Sequence, residues 1–276
     1  GKVTNKGGTI NDGTFTGTVD NVLFPYYYDD GGVSGGNAAH INGGIFTETS
    51  TVNNIGCFIE NGTFHGKVTV TGYYDGPDGL RRPGDIDGGT FTETSEVTVA
   101  IQGGISGGRV SGGNFSGTVR LEGGEITDYT TGKQYICPIF TESSKIYLTS
   151  GYVESGIFYG TVTYGEAVIK DSACRTVTFA TDGGSAIDSQ RILRGQKAKK
   201  PENPTKQGYN FSGWSGGESE FDFDAPVLDD VTATAKWSVN KYTITIKPGN
   251  GEDDIVITQD FGTALTAPTL AKTGHT

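Results

Sequence analysis

Residues 43–50 read "GGIFTETS", residues 88–95 read "GGTFTETS", and residues 138–144 give a third version, "PIFTESS". The intervals are too wide for a helical period and too uneven for a coiled coil. Working outward from each Phe, a wider motif emerges: an apolar residue, two polar or turn-forming residues, Gly, one residue, Phe. Seven stretches carry it: Ile10–Phe15, Ile41–Phe46, Ile59–Phe64, Ile86–Phe91, Val110–Phe115, Tyr135–Phe140 and Val153–Phe158. The sixth, "YICPIF", places Pro138 where the others place Gly. A recurrent Gly after Asp, Asn, Ser or Gly fits a corner that needs positive φ.

The copies alternate between two forms. After Phe15, Phe64, Phe115 and Phe158 the chain runs x-G-x-V; after Phe46, Phe91 and Phe140 it runs T-E-[TS]-S. The Phe residues are spaced 31, 18, 27, 24, 25 and 18 apart, so the shortest interval fits three short strands and three corners, and longer ones add loops. A unit this small cannot bury its own apolar face and must stack on its neighbours. The pattern predicts an all-β chain whose residues 1–173 form a right-handed parallel β-helix, a β-solenoid, with Phe on Phe. A β-sandwich would not carry one motif in register seven times.

Composition agrees. Gly accounts for 45 of 276 residues and there is no Met. Thr, Val, Ile, Tyr and Phe are common, as in strands joined by tight turns. Formal net charge is −11, and residues 1–173 hold 10 Lys and Arg against 19 Asp and Glu. That balance repels phosphate backbones, so nucleic acid is excluded as a partner. No apolar run is long enough to span a bilayer, so the chain is expected not to be membrane-embedded. Cys57, Cys137 and Cys174 lack CxxC spacing, which speaks against a structural zinc site. They fit buried thiols or one incidental bridge.

At Ser172–Cys174 the idiom changes. Residues 175–237 carry, in order, "TVTFATDGG", "GQKAKKPENPTKQGY", "FSGW", "FDFDAP" and "VTATAKW". This segment resembles the Listeria–Bacteroides repeat, the internalin B-repeat family of bacterial surface proteins. The resemblance implies a small β-grasp-like domain in extracellular, cell-wall-associated proteins, often in tandem. A second copy starts at "YTITIKPGN" from Tyr242, passes "DFGTALTAP", and stops before an "FSGW". The expected organisation is therefore a solenoid over 1–173, a repeat over 174–238 and a truncated second repeat over 239–276, the whole cut from a longer array. Phe211 and Trp214 read as core aromatics of the repeat.

Chemistry is sparse. "GVSGG" (32–36), "GISGG" (104–108) and "GWSGG" (213–217) match G-x-S-x-G, but none lies between a strand and a helix, where that motif acts. They read as turns. Glu48, Glu93 and Glu142, each two residues after a Phe, would line one edge as a uniform ladder, whereas catalysis needs one special pair in a cleft. "DIDGG" (85–89) and "GNGEDD" (249–254) complete no calcium loop. No metal, cofactor or catalytic residue is assigned.

The inserted loops "NVLFPYYYDDGGVSGGNAAH", "TGYYDGPDGLRRPGD" and "EGGEITDYTTGKQ" are more distinctive, and are expected to emerge side by side from one edge. Tyr27, Tyr28, Asp29, Tyr73, Tyr74, Asp75, Arg81, Arg82 and Tyr129 are the candidate ligand-binding residues. Exposed aromatics beside fixed charges suit a sugar. The expected function is a non-enzymatic, adhesin-like binding or spacer module of a bacterial cell-surface protein, a monomeric segment whose partner is a glycan or a host surface protein. The alternative is a carbohydrate-active β-helix, a polysaccharide lyase or glycoside hydrolase, which would need a basic residue beside acidic ones on one face.

Overall fold

The computed structural model describes residues 1–27, 33–75, 80–102, 106–131, 134–249 and 251–269. Among these the chain is all-β, with one 3-10 turn at Asp171–Ala173. It forms two compact units. The first holds Gly1–Arg175, Arg191–Lys197 and Pro226–Asp229; the second holds Thr176–Gln190, Ala198–Ala225 and Asp230–Thr276.

In the first unit, strands far apart in sequence pair in parallel, in three ladders. One joins the two-residue strands that end in Phe, Thr14–Phe15 through Ile157–Phe158, in the register Phe15↔Phe46↔Phe64↔Phe91↔Phe115↔Phe140↔Phe158. Ring centroids of neighbouring Phe residues lie 4.5–5.1 Å apart and the rings are nearly parallel, face on face. That separation is the spacing of paired strands, so the rings stack because the backbones beneath them pair. All but Phe15 are fully buried.

A second ladder aligns Ile10, Ile41, Ile59, Ile86, Val110, Ile126, Val153 and Ile169. Its sixth member is Ile126, not Tyr135. In that copy a hairpin, Tyr129–Thr131 with Gln134–Ile136, is inserted between the aliphatic position and Phe140. The motif's fixed spacing is broken there, although the ladder is not. The third ladder aligns Val3, Val19, Val52, Val68, Val97, Val119, Ile146 and Val162. The three inward rows meet in one continuous core.

The six motif glycines, Gly13, Gly44, Gly62, Gly89, Gly113 and Gly156, all have positive φ, between 99° and 137°. This is the region L side chains avoid, and it explains the recurrence of Gly at the corner.

The two alternating forms fit one on the other. In Thr92–Ser95 the Ser95 amide and hydroxyl both donate to the Thr92 carbonyl, at 3.0 and 2.8 Å. Thr94 donates to the His65 carbonyl of the preceding strand row at 2.9 Å. This folded turn presses on Gly117 in the next row, where a Cβ would lie 2.6 Å from the Thr92 carbonyl oxygen. Gly66 and Gly160 meet Thr47 and Thr141 in the same way, at 2.6 and 2.7 Å. Each T-E-[TS]-S turn thus requires Gly in the row that follows, and the chain must alternate.

A buried polar column runs beside the core. Asn5 donates to Asn21 at 2.8 Å, Asn21 donates to Asn54 at 2.7 Å, and Asn54 donates to the Cys57 carbonyl at 2.7 Å. In later rows Val70, Val99, Leu121 and Leu148 take the same inward position. Asn21 and Asn54 are fully buried and paired, so they hold register at little cost.

In the second unit, Val177–Ala180 pairs in parallel with Val231–Thr234, and the strand Val231–Val239 pairs antiparallel with Tyr209–Ser215. Trp214 is buried against Phe179 and Phe211, with centroids 5.1 and 5.3 Å away, as expected of a core aromatic. Lys241–Ile246 and Ile255–Asp260 form an antiparallel hairpin.

Candidate functional site

The inserted loops leave the ladders at two different corners. Two hairpins, Phe24–Tyr27 with Val33–Asn37 and Tyr73–Asp75 with Leu80–Arg82, leave between the Val and Ile ladders. The hairpin carrying Tyr129 leaves between the Ile and Phe ladders. The expectation of one shared edge therefore holds for the first two loops and fails for the third. A further insertion, Glu96–Gln102 with Ser106–Val110, also leaves at the first corner.

Within the second hairpin Tyr73 faces Arg82, Tyr74 faces Arg81 and Asp75 faces Leu80. Tyr73 is half-buried against Leu23, Ala39 and Cys57, so its ring packs the hairpin down. Tyr27 faces Val33 across the first hairpin; Tyr28 and Asp29 lie outside the described residues.

Glu48, Glu93 and Glu142 are exposed at the apices of the T-E-[TS]-S turns. Of the G-x-S-x-G matches, Ser34 and Ser106 lie in the strands Val33–Asn37 and Ser106–Val110 and not in turns as expected, while Ser215 ends the strand Tyr209–Ser215 and its hydroxyl donates to the Gly217 carbonyl at 2.6 Å; no helix follows any of the three among the described residues. The three cysteines are free thiols. Cys57 is buried among apolar groups, and desolvation pushes its thiol up to about 11, which makes it inert.

The charged face that sequence reasoning missed lies along the Ile ladder. One outward row there reads His40, Phe58, Asp85, Arg109, Glu125, Tyr152. The next outward row includes Glu60, Asp87, Ser111, Thr127 and Glu154. Arg109 donates to both Asp85 oxygens, from Nε at 2.9 Å and from Nη2 at 2.8 Å. Ser111 donates to Asp87 at 2.5 Å, and His40 Nδ1 lies 3.1 Å from Glu60. Asp85 is almost fully buried, and that burial pushes its carboxyl up to about 6 despite the guanidinium beside it. Burial also raises Glu125, and the neighbouring Glu154 carboxylate adds to the rise against the pull of Arg109.

Beside this row a groove of about 270 Å³ is floored by Gly107, Gly108, Gly123 and Gly124 and walled by Arg109, Glu125 and the exposed Tyr152. A second recess, of about 170 Å³, brings Asp128 and Glu154 toward Arg175 and Arg194. Both fall short of the roughly 300–1,000 Å³ of ordinary small-molecule sites. Asp85 and Arg109 are 24 residues apart, and only the row register joins them. The one signal in sequence was that each stands immediately before an aliphatic ladder residue, Ile86 and Val110. Among the described residues no group of three or more His, Cys, Asp or Glu could hold a metal ion. No helix among them is long and apolar enough to cross a membrane.

Comparison with known proteins places one segment in a family. The Listeria–Bacteroides repeat domain matches residues 176–236. A protein of Evansella cellulosilytica, provisionally described as a Gly-rich membrane protein, is 30% identical over 105 residues, 36% of this chain and 12% of the relative. A second protein of that organism, provisionally described as a membrane protein, is 30% identical over 105 residues, 36% of this chain and 16% of its own length. Internalin H of Listeria monocytogenes is 35% identical over 75 residues, 25% of this chain and 13% of the internalin. The chain thus spans less than a fifth of the length of each relative. Residues 176–236 are a Listeria–Bacteroides repeat, as the order of "TVTFATDGG", "FSGW" and "VTATAKW" implied.

Proposed function

We propose that the chain is part of a bacterial surface protein, extracellular and associated with the cell wall. Residues 1–173 are read as a right-handed parallel β-solenoid that serves as an adhesin-like binding or spacer module. Residues 174–238 and 239–276 are read as β-grasp-like repeats of a stalk. The observation that carries this reading is the repeat at 176–236, shared with an internalin. Seven Phe residues in one parallel register support the solenoid. The recesses beside the ladders, of about 170 and 270 Å³, are smaller than ordinary small-molecule sites, which favours a rigid scaffold over an enzyme.

Binding, on this reading, belongs to the inserted hairpins, with a glycan or a host surface protein as partner. Tyr73 is committed to packing, so the test uses Tyr74→Ala combined with Arg81→Ala. A glycan array probed with the full chain should give a hit that this double variant loses while its unfolding transition stays put. Binding that survives in a stable double variant would move the site elsewhere; no hit with the unmodified chain would favour the spacer.

A second reading has one observation in its favour. Arg109 stands beside Asp85 and Glu125 on one face, the basic residue among acids that a polysaccharide lyase would need. Release of reducing ends or unsaturated products from acidic polysaccharides, abolished by Arg109→Ala, would establish it.

A further inference from the structure

Two turns of the chain share one geometry. In Leu193–Gln196 the Gln196 amide donates to the Leu193 carbonyl at 3.0 Å; in Asp260–Thr263 the Thr263 amide donates to the Asp260 carbonyl at 3.1 Å. The third residue is Gly in both, Gly195 with φ 96° and Gly262 with φ 79°. That is the residue a type II turn needs at its third position. The turns also hold equivalent places, since each ends a strand in its copy of the repeat, Gln190–Leu193 in the first and Ile255–Asp260 in the second.

Each turn touches what precedes its copy. Arg191–Lys197 is part of the first unit and closes the core at its last row. Leu193 is buried in that core, the Phe158 amide donates to the Arg194 carbonyl at 2.7 Å, and the Arg194 amide donates to the Ala173 carbonyl at 3.0 Å. Gln196 Nε2 donates to the carbonyls of Phe158 and Gly160, at 2.5 and 2.9 Å. These are the last Phe of the ladder and the Gly after it, backbone groups that otherwise pair with a following row. The turn stands in for that missing row.

In the second copy the residue before Gly is Phe261. Its ring lies over Gly208, where a Cβ would overlap it, and meets Tyr209 and Tyr242 at centroid distances of 6.2 and 6.1 Å. The Phe261 amide donates to the Asn240 carbonyl at 2.8 Å, and the Asn240 amide donates to the Gly208 carbonyl at 2.9 Å. Gly208 and Tyr209 belong to the first repeat.

We propose that this x-Gly turn is the coupling element by which each repeat fastens to the module upstream. Its chemistry is matched to the surface it meets: backbone-pairing polar groups against an open β-ladder end, an aromatic ring against a glycine seat on another repeat. The proposal rests on reading 239–276 as a second copy.

Hydrogen exchange on the full chain tests this. An isolated two-stranded hairpin is marginal in water, so protection of Lys241–Ile246 and Ile255–Asp260 reports docking. Phe261→Ala should speed exchange there at least tenfold and leave Val231–Val239 unchanged. Gln196→Ala should speed exchange of Ile157–Phe158 and Thr161–Tyr164 tenfold and leave Lys67–Thr71 unchanged. Unchanged hairpin protection in Phe261→Ala overturns the coupling. An effect in Phe261→Ala with none in Gln196→Ala overturns the shared role of the two turns. A hairpin unprotected in the unmodified chain overturns the second-copy reading along with the proposal.

Discussion

At the scale of single residues, the Phe, Ile and Val rows were legible in the sequence because a stacked row must repeat its inward side chain. The Asn5–Asn21–Asn54 column was not, since Asn elsewhere marks a turn and nothing local says that these three face inward. Asp85 stands in the sequence at the end of an inserted loop, and its pairing with Arg109 depends on register across rows. Its chemistry gives a test. The carboxyl is raised by burial to about 6 in the folded protein, above its unfolded value of roughly 3.9. The folded state therefore holds the proton more tightly between those values, and stability falls as pH rises through them. Denaturant unfolding of the first unit should show the wild-type chain losing stability relative to Asp85→Asn as pH goes from about 4 to about 7. A gain over that range would mean that the Arg109 charge outweighs burial and the carboxyl is lowered.

At the scale of elements, the opening phrase is explained by the turn it makes. The T-E-[TS]-S turns are held by their own hydroxyls and sit against a glycine in the next row. Sequence showed the alternation but not its cause, because the close contact joins residues far apart along the chain, such as Ser95 and Gly117. In the sixth copy a constant motif spacing points to Tyr135. The insertion of the Tyr129 hairpin shifted the aliphatic position to Ile126. Gly117→Ala should destabilise the first unit by about 1–3 kcal/mol, as overpacking does. Glu93→Ala, at the exposed apex of the opposing turn, should stay within about 0.5 kcal/mol. Thermal or urea unfolding of the two variants decides; equal effects would mean that the turn and the glycine are not in contact.

At the scale of the whole molecule, a proposed solenoid precedes a Listeria–Bacteroides repeat at residues 176–236. The family of residues 176–236 was legible because its elements occur in order without a gap. The placement of the loops was not, since the corner from which a loop leaves depends on which residues are already paired before it. The central claim is that each copy of the phrase is one row, so that distance depends on row number and not on sequence separation. Residues 14, 45, 63, 90, 114, 139 and 157 are the outward neighbours of the stacked Phe side chains. Pulsed electron-spin distances should therefore be measured between labels at Thr14 and Asn114 and between labels at Thr14 and Ile157, with Cys57, Cys137 and Cys174 replaced. At about 4.8 Å per row, four rows predict a separation of about 19 Å and six rows about 29 Å. A second distance equal to or shorter than the first, or a spread with no preferred value, would contradict the stacked register.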